Sequence, residues 1–193
     1  MNLGSQVLRA VSQSRSNYWL AYAMDFMCPV VMFWLGLKYP AGWLTILTSL
    51  SAGILVFSFV EYSMHRWLFH APVGFATDIH RSHHADPKEP TAMPFPCSSG
   101  AAFLLWSYLP MLVGEAVTCY FATGFLGAFF YYTVIHHFEH TIRIKSVGFG
   151  WLRRKWIAHA IHHGRANRNY GVTTALWDHV FRTYAAALQP SGA

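Results

Sequence analysis

Residues 41–70 read AGWLTILTSLSAGILVFSFVEYSMHRWLFH, an apolar run that passes into a segment with two histidines. The segment contains no proline, so one helix can extend through all of it. Its first twenty residues, Ala41–Val60, are long enough to cross the roughly 30 Å hydrocarbon core of a bilayer. The last ten, Glu61–His70, carry polar side chains. This stretch therefore predicts a membrane helix that continues beyond the bilayer and presents histidines there.

The composition of the chain also indicates a membrane protein. Of its 193 residues, 54% are hydrophobic and only 11% are charged, whereas soluble domains carry roughly 25% charged residues. These values exclude an ordinary soluble domain and a disordered chain. The length favours one domain. We expect a single membrane domain over residues 1–193 with a polar N-terminal segment, residues 1–17, and no nucleic-acid partner.

Apolar runs predict four membrane-spanning helices. They are Tyr18–Leu37, Ala41–Val60, Ala101–Ala122 and Gly124–Ile135. The short connection between the first two predicts a hairpin, and Gly124 marks the expected bend between the last two. The predicted fold is an all-α integral membrane protein, with four transmembrane helices in two hairpins and a helical cap that carries a histidine-rich dimetal site.

The basic residues predict the orientation of this fold. If the N-terminus is cytoplasmic and the chain crosses four times, all of the 14 Lys and Arg residues except Lys38 fall on the cytoplasmic side. Cytoplasmic loops of membrane proteins carry such an excess of positive charge. Both termini and the helical cap are therefore expected in the cytoplasm.

The histidines fall into clusters. The chain has twelve, and eleven lie in HRWLFH (65–70), HRSHH (80–84), HHFEH (136–140) and HAIHH (159–163). Residues three or four apart share one face of a helix, so each HxxHH cluster is expected to aim three imidazoles at one point. His65 and His70 lie about 140° apart on an ideal α-helix. They therefore need either a local bulge or two separate targets.

The predicted topology places all four clusters on the cytoplasmic side, although the histidines were not used to derive it. Ten imidazoles on one membrane face indicate a metal centre, and their number suggests two metal ions side by side. Imidazole suits zinc, iron, copper and nickel. Iron that activates dioxygen would need such a site against a bilayer, whereas zinc would indicate an activated water.

In this order, the clusters resemble the fatty acid hydroxylase and sterol desaturase superfamily of membrane di-iron oxygenases. The resemblance covers a core from Glu61 to Tyr184, and it includes the closing segments NYGV (169–172) and WDHVFRTY (177–184). Arg182 stands where relatives often carry glycine. The resemblance implies ten metal ligands, with His137 as an alternative to His136: His65, His70, His80, His83, His84, His136, His140, His159, His162 and His163.

The resemblance also implies an activity. Two Fe ions, with Zn as a substitute in purified protein, would use O2 to hydroxylate or desaturate a C–H bond of a membrane lipid. The expected substrate is a fatty acyl, sphingolipid or sterol-type chain. A haem-binding domain that is fused to some relatives is absent from these residues. Electrons are therefore expected from a separate partner, a ferredoxin or a b-type cytochrome with its reductase.

Other residues are expected to support this centre. A metal-bound imidazole usually donates its other N–H to a carboxylate or carbonyl, so Glu61 and Asp178 are predicted to lie behind the ligands. Arg153, Arg154 and Lys155 are predicted to dock the electron donor or lipid headgroups. A solvated basic turn explains these three residues equally well.

Three other functions stay open at this point. Carotenoid hydroxylation is the nearest alternative within the same superfamily. A metal transporter or metal sensor is a different class, which would need polar ligands near the membrane midplane. A structural zinc protein is the third alternative, although such a site is filled by four ligands.

Overall fold

The computed structural model describes residues 3–142 and 148–186, so the basic residues Arg143 and Lys145 lie outside the described part of the chain. Within that part, every regular element is helical. The elements are α1 (Leu3–Ser12), α2 (Arg15–Gly36), α3 (Trp43–Ser63), a π-helix (Met64–Phe69), α4 (Phe75–Ala85), α5 (Pro96–Tyr108), α6 (Pro110–Val113), α7 (Glu115–Thr141), α8 (Gly150–Gly164) and α9 (Leu176–Val180).

Four helical segments in the described residues are long and apolar enough to cross a membrane. They are Arg15–Gly36, Trp43–Phe69, Pro96–Val113 and Glu115–Thr141. At 1.5 Å per residue, the shortest one, with 18 residues, spans about 27 Å. These segments confirm the predicted all-α fold with four spanning helices, and the chain is a multi-pass membrane protein.

The predicted bend between the third and fourth spans is wrong. The observed bend between these spans lies at Gly114, which has a φ of +82° and follows the proline-initiated helix α6. Gly124 instead lies inside α7, where an added Cβ would come within 2.2 Å of the Leu50 carbonyl oxygen. A glycine within an apolar run marks either a turn or a close helix contact, and local sequence does not separate the two.

The chain divides into two compact units. The core unit comprises Met1–Phe57 and Glu89–Thr133, and the histidine unit comprises Ser58–Lys88 and Val134–Ala193, so far as these ranges are described. The boundaries fall inside α3 and α7, so both helices contribute residues to both units. A single domain over residues 1–193 stays a prediction.

Close packing of α3 on α7 organises the core unit. A Cβ at Gly53 would lie 2.1 Å from the Phe121 carbonyl oxygen, and the contact of Gly124 with Leu50 is equally tight. Small residues let helix backbones approach in this way inside membranes. Also within the core unit, Met32 of α2 and Cys119, Ala122 and Leu126 of α7 form a buried apolar cluster.

Two buried polar side chains of α2 also bind within the core unit. Asp25 accepts a hydrogen bond from the Thr133 hydroxyl at 3.0 Å. Asn17 donates to the Met93 carbonyl at 3.2 Å and accepts from the Phe95 amide at 2.9 Å. Polar groups in an apolar environment are stabilised only when they are paired, so these bonds connect α2 to α7 and to the segment before α5.

We expect Gly124→Ala to destabilise the core unit by about 1–3 kcal/mol, because the added Cβ overpacks a backbone contact. The control is Gly100→Ala in α5, where an added Cβ meets no atom within 4 Å. Equilibrium unfolding in mixed micelles measures both. Equal stability of the two variants would contradict the close approach.

Candidate metal centre

Ten histidines of the histidine unit form two groups of five. Group A contains His65, His70, His80, His84 and His162. Group B contains His83, His136, His140, His159 and His163. Within each group, one nitrogen atom from every ring lies within 4.8 Å of all the others. The structure thus brings together all ten sequence-predicted ligands.

The π-helix explains how His65 and His70 reach the same group. A π-helix has i to i+5 hydrogen bonds, so residues five apart come close to one face. The two ring centroids lie 5.3 Å apart, with 21° between the ring planes. Of the two alternatives left open by the sequence, the local bulge is the one that the structure adopts.

The HxxHH clusters do not each aim three imidazoles at one point, so that expectation is wrong. In α4, the Nε2 atoms of His80 and His84 lie 3.0 Å apart in group A, whereas His83 belongs to group B. The α8 cluster HAIHH divides the opposite way, with its first and last histidines in group B and the middle one in group A. Adjacent residues on a helix point about 100° apart, so the paired histidines at the end of each cluster cannot share a target.

The spacing of the ring nitrogens suits metal ions. The Nε2 atoms of His84 and His162 lie 3.1 Å apart in group A, and those of His140 and His159 lie 2.9 Å apart in group B. Two nitrogens about 2.1 Å from one ion and at right angles to each other lie about 3.0 Å apart. Five imidazoles are a donor set that zinc, iron, copper and nickel accept. Each group therefore fits one metal ion.

The two groups adjoin. The rings of His84 in group A and His163 in group B stack with a centroid distance of 4.3 Å, and the centroids of His80 and His83 lie 5.9 Å apart. Two ions held in these groups would therefore be neighbours, as the sequence predicts.

Burial holds the imidazoles in their neutral form. Desolvation, reinforced by nearby imidazoles, lowers the pKa of His70 to about 4, of His83 to about 3 and of His163 to about 2. Neutral imidazole is the form that binds metals. The centre is therefore prepared for metal at neutral pH.

Backbone carbonyls hold two group A rings from outside. The Nδ1 atom of His65 lies 2.5 Å from the Tyr170 carbonyl oxygen, and that of His162 lies 2.7 Å from the Arg168 carbonyl oxygen. An Nδ1–H that donates to a carbonyl leaves Nε2 as the metal-binding atom. Both carbonyls belong to the loop that follows α8, so this loop sets the tautomer of the two rings.

Glu61 and Asp178 hold that loop and do not contact the rings directly. Glu61 accepts hydrogen bonds from the Val172 amide at 2.6 Å and from the Thr173 amide and hydroxyl. Asp178, which is 1% exposed, accepts from the Tyr170 amide at 2.9 Å. The carboxylates therefore act on the imidazoles through the backbone, and their assignment as supporting residues stays a prediction.

Unusual backbone geometry occurs at one residue of this loop and at one residue after α9. Asn169 and Arg182 have φ values of 52° and 58°, in the left-handed region that glycine and asparagine tolerate best. The Asn169 side chain donates to the carbonyls of Ala158 and Ala185, both at 3.0 Å. The Arg182 carbonyl accepts from the Arg168 guanidinium at 3.1 Å. Glycine would adopt the conformation of Arg182 without strain.

The structure divides the three basic residues of α8. Arg153 and Arg154 are exposed, as a docking surface requires. Lys155 is half-buried, and its Nζ donates to the Val172 carbonyl at 2.5 Å and to the Thr173 carbonyl. Internal hydrogen bonds thus hold the ammonium group of Lys155, and its inclusion in the docking surface stays a prediction.

The sequence did not single out Glu139 as a supporting residue. Its Oε2 atom lies 3.6 Å from the Nδ1 atom of His159, and both side chains are buried. Its position between His136 and His140 on one helix was the available signal.

His137 lies outside both groups, and the ring of His179 stacks on Tyr184 at 4.2 Å.

The all-α membrane fold and its two groups of five histidines place this chain among histidine-rich membrane proteins. A family model described as fatty acid hydroxylase matches residues 50–183, which is more than half of the chain. The chain belongs to the fatty acid hydroxylase family, which confirms the sequence resemblance.

Similar curated proteins are lipid hydroxylases by name. A dihydroceramide fatty acyl 2-hydroxylase of Arabidopsis thaliana is 31% identical over 140 residues, which cover 68% of this chain and 58% of that protein. A ceramide very long chain fatty acid hydroxylase of Saccharomyces cerevisiae is 30% identical over 146 residues, which cover 68% and 36%. The chain therefore spans less than two thirds of the length of either relative.

A solved structure shares the fold. Full-length Scs7p, in which only the hydroxylase domain is visible, aligns with a TM-score of 0.75 and 22% identity. The alignment covers 95% of this chain and 72% of that one.

We expect the chelator-treated protein to lose stability as the pH falls below about 6.5, the ordinary pKa of histidine. Below this pH, histidines of the unfolded chain bind protons, whereas the buried rings of the folded protein stay neutral. The loss of stability continues as the pH falls towards the pKa of His70, about 4. Melting temperatures in detergent at a series of pH values measure the effect. His83→Ala, which removes one buried ring, makes the dependence shallower. A melting temperature that does not change over this range would contradict the burial argument.

Proposed function

We propose that the chain is a di-iron lipid hydroxylase that inserts one oxygen atom of O2 into a C–H bond of an acyl chain. The second oxygen atom leaves as water, with two electrons and two protons from an external donor. The observation that carries this proposal is the pair of adjoining five-imidazole groups. Family membership supports it.

We assign the ten imidazoles of groups A and B as the ligands of the two ions. Bound there, iron would supply the activation of O2 that C–H oxidation requires. The rest is done by the protein: burial keeps the rings neutral, and the loop carbonyls of Arg168 and Tyr170 orient two of them. With five nitrogens on each ion, a six-coordinate iron would keep one position for a small ligand. A structural zinc site would not need that position.

The proposed substrate is a fatty acyl chain, free or in a sphingolipid. The names of the plant and yeast relatives support this choice. Sterol-type and carotenoid substrates have no such support. The four spanning helices also support a lipid substrate, because an apolar chain reaches such a protein through the bilayer.

The proposed orientation is cytoplasmic for both termini and for the metal centre. The distribution of Lys and Arg supports it, since all but one of the 14 then lie inside. A cytoplasmic centre would be accessible to a soluble ferredoxin or to the head of a b-type cytochrome. The exposed residues Arg153 and Arg154 support docking of an acidic donor on α8.

The first test compares lipids from cells that make the native chain or its variants. We expect an added oxygen, seen by mass spectrometry, with the native chain and with the control His179→Ala. His83→Ala in group B and His162→Ala in group A should abolish it. Fragmentation of the product locates the hydroxyl group on the acyl chain.

Loss of two hydrogen atoms without added oxygen would identify a desaturase instead. Oxygen added equally in cells that make the His83→Ala and His162→Ala variants would reject the proposal.

The second test concerns the donor. Arg153→Glu with Arg154→Glu should slow reduction of the loaded protein about tenfold at low salt, whereas iron content stays unchanged. Stopped-flow mixing with reduced ferredoxin and, separately, with reduced b-type cytochrome measures the rate. Lys88→Glu, an exposed charge reversal elsewhere in the histidine unit, serves as the control. Equal rates for all three proteins with both donors would exclude docking on α8.

A further inference from the structure

Group B contains a contact that group A does not have among the described residues. Glu139 lies on α7 between two histidines of group B, and its Oε2 atom is 3.6 Å from the Nδ1 atom of His159. The side chains of Glu139 and His159 are only 1% and 6% exposed. Both carboxylate oxygens and this Nδ1 atom lack a hydrogen-bond partner within the described residues. The carboxylate and the ring nitrogen are thus available as partners for each other.

The separation is short enough to close. A charge-assisted N–H···O bond is about 2.7–2.9 Å long, so the two atoms need to approach by less than 1 Å. A small rotation of either side chain achieves this. His159 would then donate its Nδ1–H to the carboxylate and direct Nε2 at the centre of group B.

Group A rings are held differently. His65 and His162 face the backbone carbonyls of Tyr170 and Arg168, which are neutral acceptors. A carboxylate is a stronger hydrogen-bond acceptor than a carbonyl, and a carboxylate behind a ring makes the opposite ring nitrogen a stronger ligand. The two positions are therefore chemically unequal, although each has five imidazoles.

Lys155 provides the charge that a buried carboxylate requires. It lies four residues before His159 on α8, so the two share a face. Its ammonium group binds the Val172 and Thr173 carbonyls and attracts the carboxylates of Glu139 and Glu61. Burial of a charge is costly, and the positive charge of Lys155 offsets part of that cost for Glu139.

We propose that Glu139 is a positioning residue that accepts the Nδ1–H of His159 and makes group B the tighter of the two metal positions. The inference rests on the proposed metal-binding role of the two groups. It is independent of which lipid is oxidised. It predicts that the two ions leave the protein at different chelator concentrations.

Metal retention tests this directly. The purified native chain, the nearly isosteric variant Glu139→Gln and the variant Glu139→Leu are loaded with Zn(II) and dialysed against increasing chelator. We expect two ions per native chain that leave in two steps. The tighter step is the one in which the more strongly held ion leaves. In both variants this step should move to a chelator concentration about 10–100-fold lower. Co(II) substitution, followed by its visible absorption spectrum, should show the change in one of two sites.

Two controls separate positioning from a structural role. Asp86→Asn alters another carboxylate close to a histidine cluster, but Asp86 is exposed and bound to the Lys88 amide, so both steps should stay as in the native chain. The double variant Glu139→Leu with Lys155→Met removes both ionisable groups. If Glu139 only balances Lys155, the double variant recovers the native tighter step, and the proposal is overturned. If Glu139 positions His159, the tighter step stays lost.

The outcomes also separate this inference from the proposed function. A folded native chain that retains no metal would overturn both. Two ions in the native chain with unchanged retention in Glu139→Gln and Glu139→Leu would overturn the positioning role alone. Circular dichroism and gel filtration in detergent establish that each variant is folded.

Discussion

Ten imidazoles can share one buried space only while they are uncharged, and the rest of the histidine unit depends on this constraint. Proton uptake by one ring would place a charge among close neighbours in a poorly solvated site. Burial and the neighbouring rings therefore lower the pKa of His83 and of His163. The same burial that costs solvation also holds the nitrogens in the form that binds metal.

Neutral rings have two tautomers, so the protein must also decide which nitrogen faces inward. It does so with acceptors placed behind the rings. The loop after α8 supplies two backbone carbonyls for group A, and Glu61 and Asp178 fix that loop through its amides. Group B has the carboxylate of Glu139 behind one ring instead. On the proposed roles, the acceptors behind the rings, rather than the number of rings, distinguish group A from group B.

Helix geometry divides the rings between the halves. In each HxxHH cluster, the first and last histidines share a face, and the middle one points about 100° away from its neighbour. The cluster on α4 contributes two rings to group A and one to group B, whereas the cluster on α8 contributes one ring to group A and two to group B. The π-helix at Met64–Phe69 adjusts the remaining spacing, because it brings residues five apart onto one side.

The sequence by itself determined the features that depend on local composition and periodicity. Long apolar runs required spanning helices, since backbone groups in lipid must bond internally. The histidine clusters predicted a metal centre of several imidazoles, and their order indicated the family. These signals are local, so they survive without knowledge of which helices meet.

Only the tertiary structure decided which residues act together. The division of the rings into groups A and B, the inward role of Lys155 and the contact of Glu139 with His159 depend on segments far apart in the chain. The glycines show the same limit, because Gly114 turns the chain and Gly124 packs against Leu50, although both lie in similar apolar surroundings. The physical reason is that a side chain's role is set by the charge, space and hydrogen-bond partners around it, and distant segments supply these only after folding.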